Sequence, residues 1–187
     1  MSALPPVTLV LGGARSGKSR YAEALVESRP GACVYLATAE PGDEEMAARI
    51  AAHRARRGAR WTTVEEPLDV VGALRKSVGA ERAVLVDCLT LWLSNLLGAG
   101  RDPEEERARL LAALPGLAGP VVFISNEVGL GVVPDNPLAR RFVDCAGQLN
   151  QALAAAAQSV VAMTAGLPLR LKGPGYAEAP DIWVRAS

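Results

Sequence analysis

Histidine is almost absent from this sequence: His53 is the only one. A histidine-rich metal centre is thereby excluded, and any imidazole chemistry must run through one side chain. Cysteine is scarce too. Cys33, Cys88 and Cys145 are odd in number and share no metal-ligand spacing, which excludes a disulfide framework and leaves reduced, buried thiols as the expectation. Charge of one sign is lacking, because 20 basic and 20 acidic residues cancel. The chain therefore has no overall electrostatic handle for nucleic acid or an anionic membrane, and any polyanion site must be local. Long hydrophobic runs are missing as well. The best stretch, Ala152 to Leu169, is Ala-rich and broken by Gln158, Ser159, Gly166 and Pro168, so no membrane span is expected. The start has no basic region followed by an apolar core, and a cytoplasmic protein is the expectation. Only Lys18, Lys76 and Lys172 are lysines; with the abundant Ala, the preference for Arg reads as composition bias.

What is present is ordinary globular composition, half hydrophobic and 21% charged, over 187 residues. That length suits one domain with a substantial core. Short apolar runs, Val7–Leu11, Cys33–Thr38, Ala83–Asp87, Val121–Ser125 and Val160–Thr164, read as strands buried on both faces. They alternate with helical stretches at Lys18–Ser28, Glu44–Arg57, Leu68–Lys76, Leu89–Leu97, Pro103–Leu114 and Leu138–Ala157. Such alternation predicts an α/β fold, a parallel sheet covered by helices on both faces. Asp102-Pro103 reads as an N-cap followed by proline at the first helical position, with Glu104–Glu106 at the positive helix end. The residues from Gly173, rich in Gly and Pro, are expected to form a loosely held extension, which leaves residues 1–172 as the expected single domain.

Residues Gly12-Gly13-Ala14-Arg15-Ser16-Gly17-Lys18-Ser19 fit G-x-x-x-x-G-K-S, directly after a strand and before a helix. This is the P-loop context, in which main-chain amides converge on a phosphate, Lys18 reaches the β- and γ-phosphates and the Ser19 hydroxyl takes a Mg²⁺ position. Asp87 ends an apolar strand, the pattern that holds Mg²⁺ in this class; the plainer alternative is a cap for the following helix.

His53 lies in an Arg-rich helical stretch, with Arg49 and Arg57 four residues before and after it and Arg56 three after. Nearby cations disfavour imidazolium, so the ring stays neutral and nucleophilic near neutral pH, and the same cations suit a triphosphate. Pattern alone favours a solvated face. In a nucleotide enzyme the same arrangement suggests covalent nucleotidyl transfer, in which the ring nitrogen attacks the α-phosphate and pyrophosphate leaves.

From about Val7 to Lys172 the chain resembles the bifunctional adenosylcobinamide kinase/adenosylcobinamide-phosphate guanylyltransferase family. The resemblance rests on the Ala-Arg-Ser form of the phosphate loop, Tyr35-Leu-Ala-Thr-Ala39, Glu45-Met-Ala-Ala-Arg-Ile50 with His53, Trp61-Thr-Thr-Val-Glu65 and Asn95-Leu-Leu97. Ser125-Asn-Glu-Val-Gly129 with Val133-Pro134, and Ala146-Gly-Gln-Leu-Asn-Gln151, complete it. It implies a three-layer P-loop NTPase-like, mostly parallel sheet. It implies γ-phosphate transfer from ATP or GTP to adenosylcobinamide, then guanylylation of His53 by GTP and passage of GMP to adenosylcobinamide phosphate. By position it makes His53 and Lys18 catalytic. It assigns nucleotide contacts to Gly12–Ser19, Ala37, Thr38, Ala39, Arg54, Ala55, Arg56, Arg57, Glu65 and Asp87, and metal contacts to Ser19 and Asp87. A homo-oligomer, a trimer, is implied too. The family often carries Glu where this chain has Asp87, and its usual end is near Lys172.

Two other functions share the phosphate loop. A nucleotide-dependent switch is disfavoured by the lack of an Asn-Lys-x-Asp guanine-reading motif; a simple small-molecule kinase has no use for His53. Glu127 is a candidate kinase base or equally a turn residue, and Cys88 reads as core. Trp61, Trp92 and Trp183 could offer apolar surface to a large substrate, with core packing the plainer role for each.

Overall fold

The computed structural model describes residues 4–39 and 57–173. The expected helix Glu44–Arg57, apart from its last residue, and the extension past Gly173, with Trp183, lie outside the described residues. Seven strands form one sheet: β1 (Val7–Gly12), β2 (Ala32–Ala37), β3 (Trp61–Glu65), β4 (Arg82–Asp87), β5 (Val121–Asn126), β6 (Ser159–Thr164) and β7 (Leu167–Lys172). Their spatial order is β3-β2-β4-β5-β1-β6-β7. The pairs from β3 to β6 are parallel, and β7 returns antiparallel to β6. The five expected strands are present within a residue or two at their ends.

β3 and β7 are additions, and both are edges. β3 reads Trp-Thr-Thr-Val-Glu with no residue fully buried, so it lacks the apolar run that marks the inner strands. β7 lies inside the stretch weighed above as the best apolar run. That stretch is in fact a helix end, strand β6, a tight turn and an edge strand. Ala165 and Gly166 both have positive φ, 51° and 82°, the two-residue hairpin turn that suits strand twist. Pro168 is tolerated because an edge strand has a side with no ladder to complete. Among the described residues, no helix is long and apolar enough to cross a membrane.

Period-two alternation sorts the strand side chains into two cores. Val7, Leu9, Val34, Leu36, Val84, Val86, Val121 and Phe123 face one layer of helices. That layer holds α2 (Val70–Ser77), α3 (Leu89–Gly98), α4 (Pro103–Ala113) and α5 (Pro137–Ala156). Val10, Cys33, Tyr35, Leu85, Val122, Ile124 and Met163 face the other side, where α1 (Lys18–Glu27) lays down Tyr21, Ala22, Leu25 and Val26. The helix starts have local causes. Asp102 accepts from the Glu104 amide at 2.9 Å with Pro103 at the first turn, and Asn136 accepts from Leu138 and Ala139.

Trp92 sits at the centre of the larger core, 1% exposed, its indole nitrogen donating to the Leu68 carbonyl at 2.9 Å. The plainer reading of this tryptophan as core is the one the packing supports. Trp61 differs: it is half-buried on the edge, donating to Glu27 at 2.6 Å and meeting the Tyr35 ring edge-on at 6.3 Å. Trp92→Ala leaves a cavity and an unpaired carbonyl, so urea denaturation is expected to show a loss of about 3–5 kcal/mol.

Candidate functional site

In a parallel sheet the carboxyl ends of the strands share one edge, and that edge is where open α/β folds bind ligands. Here β1 ends at Gly12, β2 at Ala37, β4 at Asp87 and β5 at Asn126. The phosphate loop leaves β1 in the middle of this edge and enters α1 at Lys18.

Backbone geometry explains the loop's glycines. A Cβ on Gly12 would lie 2.6 Å from the Ser16 hydroxyl oxygen and 2.7 Å from the Met163 carbonyl oxygen, so no larger residue fits. Gly17 has φ 94°, the left-handed region that glycine enters without steric cost. It stands at the N-cap of α1 with no side chain bonded to the helix start, which leaves the first-turn amides and the positive helix end open. Two long-range bonds hold the loop. The Glu127 amide donates to the Gly12 carbonyl at 3.2 Å, and the Gly166 amide of the β6–β7 turn donates to the Ser16 carbonyl at 3.1 Å. Lys18 folds back across the loop and donates to the Gly13 carbonyl at 2.8 Å. Burial lowers its pKa from 10.5, with the Asp87 and Cys88 charges pulling the other way.

Ser19 and Asp87, 68 positions apart, are in direct contact: the Ser19 hydroxyl donates to Asp87 Oδ2 at 2.9 Å. A second donor reaches the same oxygen, the Tyr35 hydroxyl at 2.8 Å. Tyr35 and Asp87 both point to the α1 face, two rungs apart on neighbouring strands, and Ala37 pairs directly with Asp87. On the far side of Ala37 its partner is Glu65, so Glu65, Ala37 and Asp87 form one row across three strand ends. Arg57 places its guanidinium carbon 3.6 Å from the Tyr35 ring centre and donates to the Thr63 hydroxyl at 3.3 Å. Burial, then Asp87, raises the Tyr35 pKa far above the ordinary phenol value, so Tyr35 remains a donor throughout the physiological range.

Thr38 is completely buried. Its hydroxyl donates to the Cys88 carbonyl at 2.7 Å and accepts from the Cys88 amide at 2.8 Å, clamping the ends of β2 and β4 together. Its own carbonyl receives Asn95 Nδ2 at 2.7 Å, and the same nitrogen reaches Pro67. Thr38 thus shapes the floor of the site with its side chain already occupied, whereas Ala39 is half-exposed above it. Cys88 is buried, and burial, then Asp87, pushes its thiol up to about 11, which suits the core role expected of it. Glu127 caps its own turn, accepting from the Gly129 amide at 3.2 Å.

Of the sequence candidates, Gly12–Ser19, Ala37, Thr38, Ala39, Arg57, Glu65 and Asp87 therefore gather on one edge. His53, Arg54, Ala55 and Arg56 lie outside the described residues. Residue-by-residue reasoning passed over Tyr35, Asn95 and the Thr90–Asn126 pair, whose hydroxyl accepts from the Asn126 amide at 2.7 Å and from its side chain at 3.0 Å. A tyrosine in an otherwise apolar strand, one alternation before its end, was the available signal for the first. A cavity of about 160 Å³ opens on the four-helix layer, among Trp92, Asp102, Arg107, Arg141, Cys145 and Gln148, and contains none of these candidates.

The profile of a protein family described as cobinamide kinase/cobinamide phosphate guanyltransferase matches residues 8–171. The bifunctional adenosylcobalamin biosynthesis protein CobP of Pseudomonas aeruginosa is 54% identical over 168 residues, covering 88% of this chain and 96% of that protein. CobU of Salmonella typhimurium, described in the same terms, is 42% identical over 179 residues, covering 88% and 98%. Among solved structures, the assembled ATPase EscN of the enteropathogenic Escherichia coli type III secretion system superposes with a TM-score of 0.57 at 10% identity, over 88% of this chain and 44% of that longer one. Another bacterial type III secretion ATPase gives 0.54 at 12% identity, over 85% and 51%. These two likenesses speak for the fold alone, a three-layer α/β P-loop architecture. The profile and the close relatives speak for more: this chain belongs to the cobinamide kinase/cobinamide phosphate guanyltransferase family.

Proposed function

We propose that a single nucleotide site in this chain serves two transfers: a phosphoryl group to adenosylcobinamide, then a guanylyl group to adenosylcobinamide phosphate. The kinase and guanylyltransferase activities go with family membership. The observation that carries the shared-site reading is the phosphate loop with its open helix start, facing the Ser19–Asp87 pair at 2.9 Å.

In the first transfer the loop amides and the start of α1 bind the triphosphate, and Lys18 leaves the Gly13 carbonyl to meet the β- and γ-phosphates. The aminopropanol hydroxyl of adenosylcobinamide attacks the γ-phosphorus, its proton passes to solvent, and the nucleotide departs as ADP or GDP. Positioning and charge neutralisation dominate such a step, and Lys18 and Arg15 supply the latter. The donor set fits Mg²⁺. Ser19 Oγ gives its hydrogen to Asp87 and keeps its lone pairs, and Asp87 Oδ1 accepts no hydrogen bond among the described residues. Two hard oxygens of this kind suit a small divalent cation such as Mg²⁺. Mg²⁺ held by Ser19 and Asp87 would offset charge on the transferring group.

In the second transfer the His53 ring nitrogen attacks the α-phosphorus of GTP. Pyrophosphate leaves and a guanylyl phosphoramidate forms. A phosphate oxygen of adenosylcobinamide phosphate then attacks that phosphorus, releasing the imidazole and giving adenosylcobinamide-GDP. His53 is assigned this part as the sole imidazole of the chain and by its place in the family motif. Arg54, Ala55, Arg56, Arg57 and Glu65 complete the nucleotide contacts. Residues 1–172 work as one unit, and the residues beyond have no assigned part. The reading includes a homotrimer in the cytoplasm. Leu167, Leu169 and Leu171 support the assembly: they lie on β7, each more than half exposed, and among the described residues no strand pairs with its outer side, an apolar edge that calls for a cover.

GTP labelled at the α-phosphate is expected to leave acid-labile, alkali-stable label on the denatured protein. His53→Ala should abolish the label while retaining γ-phosphate transfer; a labelled His53→Ala protein refutes the intermediate. Lys18→Met should lower both activities by about 100-fold or more. Because the folded chain holds the Lys18 pKa low, the unfolded chain binds that proton more tightly, so ligand-free wild type gains stability relative to Lys18→Met as pH rises toward 10.5. Thermal melts across that range check the sign. Leu169→Glu is expected to reduce the mass measured by light scattering from that of a trimer to that of a monomer; an unchanged mass rules out β7 as the covered edge.

A further inference from the structure

The Tyr35 phenol is a buried polar group that the two transfers leave unused, and the surrounding atoms specify it closely. It is 6% exposed. Its hydroxyl donates at 2.8 Å to the same Asp87 oxygen that receives Ser19 at 2.9 Å. Both acceptor sites of Oδ2 are thereby filled by fixed donors, one from a strand and one from the first turn of α1. The carboxylate cannot rotate without breaking both bonds, and Oδ1 is the oxygen turned out from this pair. A carboxylate at a strand end otherwise has a soft terminal torsion.

The surroundings of the ring match this use. Tyr35 reaches Asp87 along the diagonal of two neighbouring strands, a span an aromatic side chain covers, and the residue beside Asp87 is Ala37, too small to obstruct it. Trp61 meets the ring edge-on and Arg57 lies over its face at 3.6 Å, so the phenol is held in place from two directions.

We propose that Tyr35 is a positioning residue for the metal site: it locks Asp87 so that Oδ1 and the Ser19 lone pairs face a divalent cation bound with the nucleotide. The inference rests on the Ser19–Asp87 reading above and adds a residue that acts through Asp87 without touching substrate. A phenol serving only to fill the core would be replaceable by phenylalanine at no cost to metal binding.

The test is Tyr35→Phe, which keeps the ring, the Trp61 contact and the Arg57 stack. Mn²⁺ binding is followed by electron paramagnetic resonance of the free ion, in full-length protein saturated with a non-hydrolysable GTP analogue. Tyr35→Phe is expected to bind Mn²⁺ about ten-fold more weakly than wild type, with a melting temperature within a few degrees of it and unchanged metal-free affinity for the analogue. In turnover, the Mg²⁺ concentration for half-maximal rate should rise by a similar factor while the rate at saturating Mg²⁺ stays near wild type. Equal or tighter Mn²⁺ binding in Tyr35→Phe overturns the proposal, since the phenol would then only compete for the carboxylate. A wild-type protein that binds the analogue but no Mn²⁺ overturns the Ser19–Asp87 reading itself, and the two failures are told apart by which protein shows the change.

Discussion

One carboxylate oxygen joins three parts of this molecule. Asp87 Oδ2 receives the first turn of the helix after the phosphate loop, through Ser19, and the neighbouring strand, through Tyr35. The loop starts at β1, whereas Asp87 ends β4, with β5 between them in the sheet. The contact exists because α1 crosses over that intervening strand and packs on both β4 and β5. Phosphate grip and acidic strand end, separate features of the sequence, become one site through that crossing. A shorter turn at Gly17, or a residue unable to take its left-handed backbone, would aim the helix elsewhere.

The layers serve this arrangement unequally. Four described helices cover one face of the sheet and bury its largest side chains, Trp92 and Phe123 among them. On the other face α1 packs on a second core that includes Val10, Cys33, Tyr35, Val122 and Ile124. The larger core lies in the first layer, and the chemistry-bearing groups are gathered on the second, at its polar end. Thr38, Asn95, Thr90 and Asn126 tie strand ends and loops together beneath it by side-chain bonds to backbone, which keeps an irregular edge of the sheet satisfied.

The inner strands, the helices after them and the loop motif were legible in the sequence because their signals are local: apolar runs of strand length, caps such as Asp102-Pro103, and a glycine pattern with its flanks. The pairing of Ser19 with Asp87 was legible only as a class expectation. Edge strands were not legible in the same way, since β3 carries threonines where an inner strand carries valines, and β7 interleaves Leu with Pro, Arg and Lys. Thr38 shows a different limit. Its place at a strand end marks it for ligand contact, but its hydroxyl is already used on Cys88, and no local pattern reveals a partner 50 positions away. Tyr35 shows the converse: within its strand it reads as one more core residue, and only the register against β4 gives its hydroxyl a destination.

The bond from the Gly166 amide to the Ser16 carbonyl bears on how the protein is made. The nucleotide loop is synthesised well before one of its two anchors, which belongs to the β6–β7 hairpin. Both sheet neighbours of β1, namely β5 and β6, also come more than a hundred residues after it. A nascent chain can carry the loop's sequence long before it carries the loop's shape, so competence to hold a triphosphate waits until β5, β6 and the β6–β7 turn have been made.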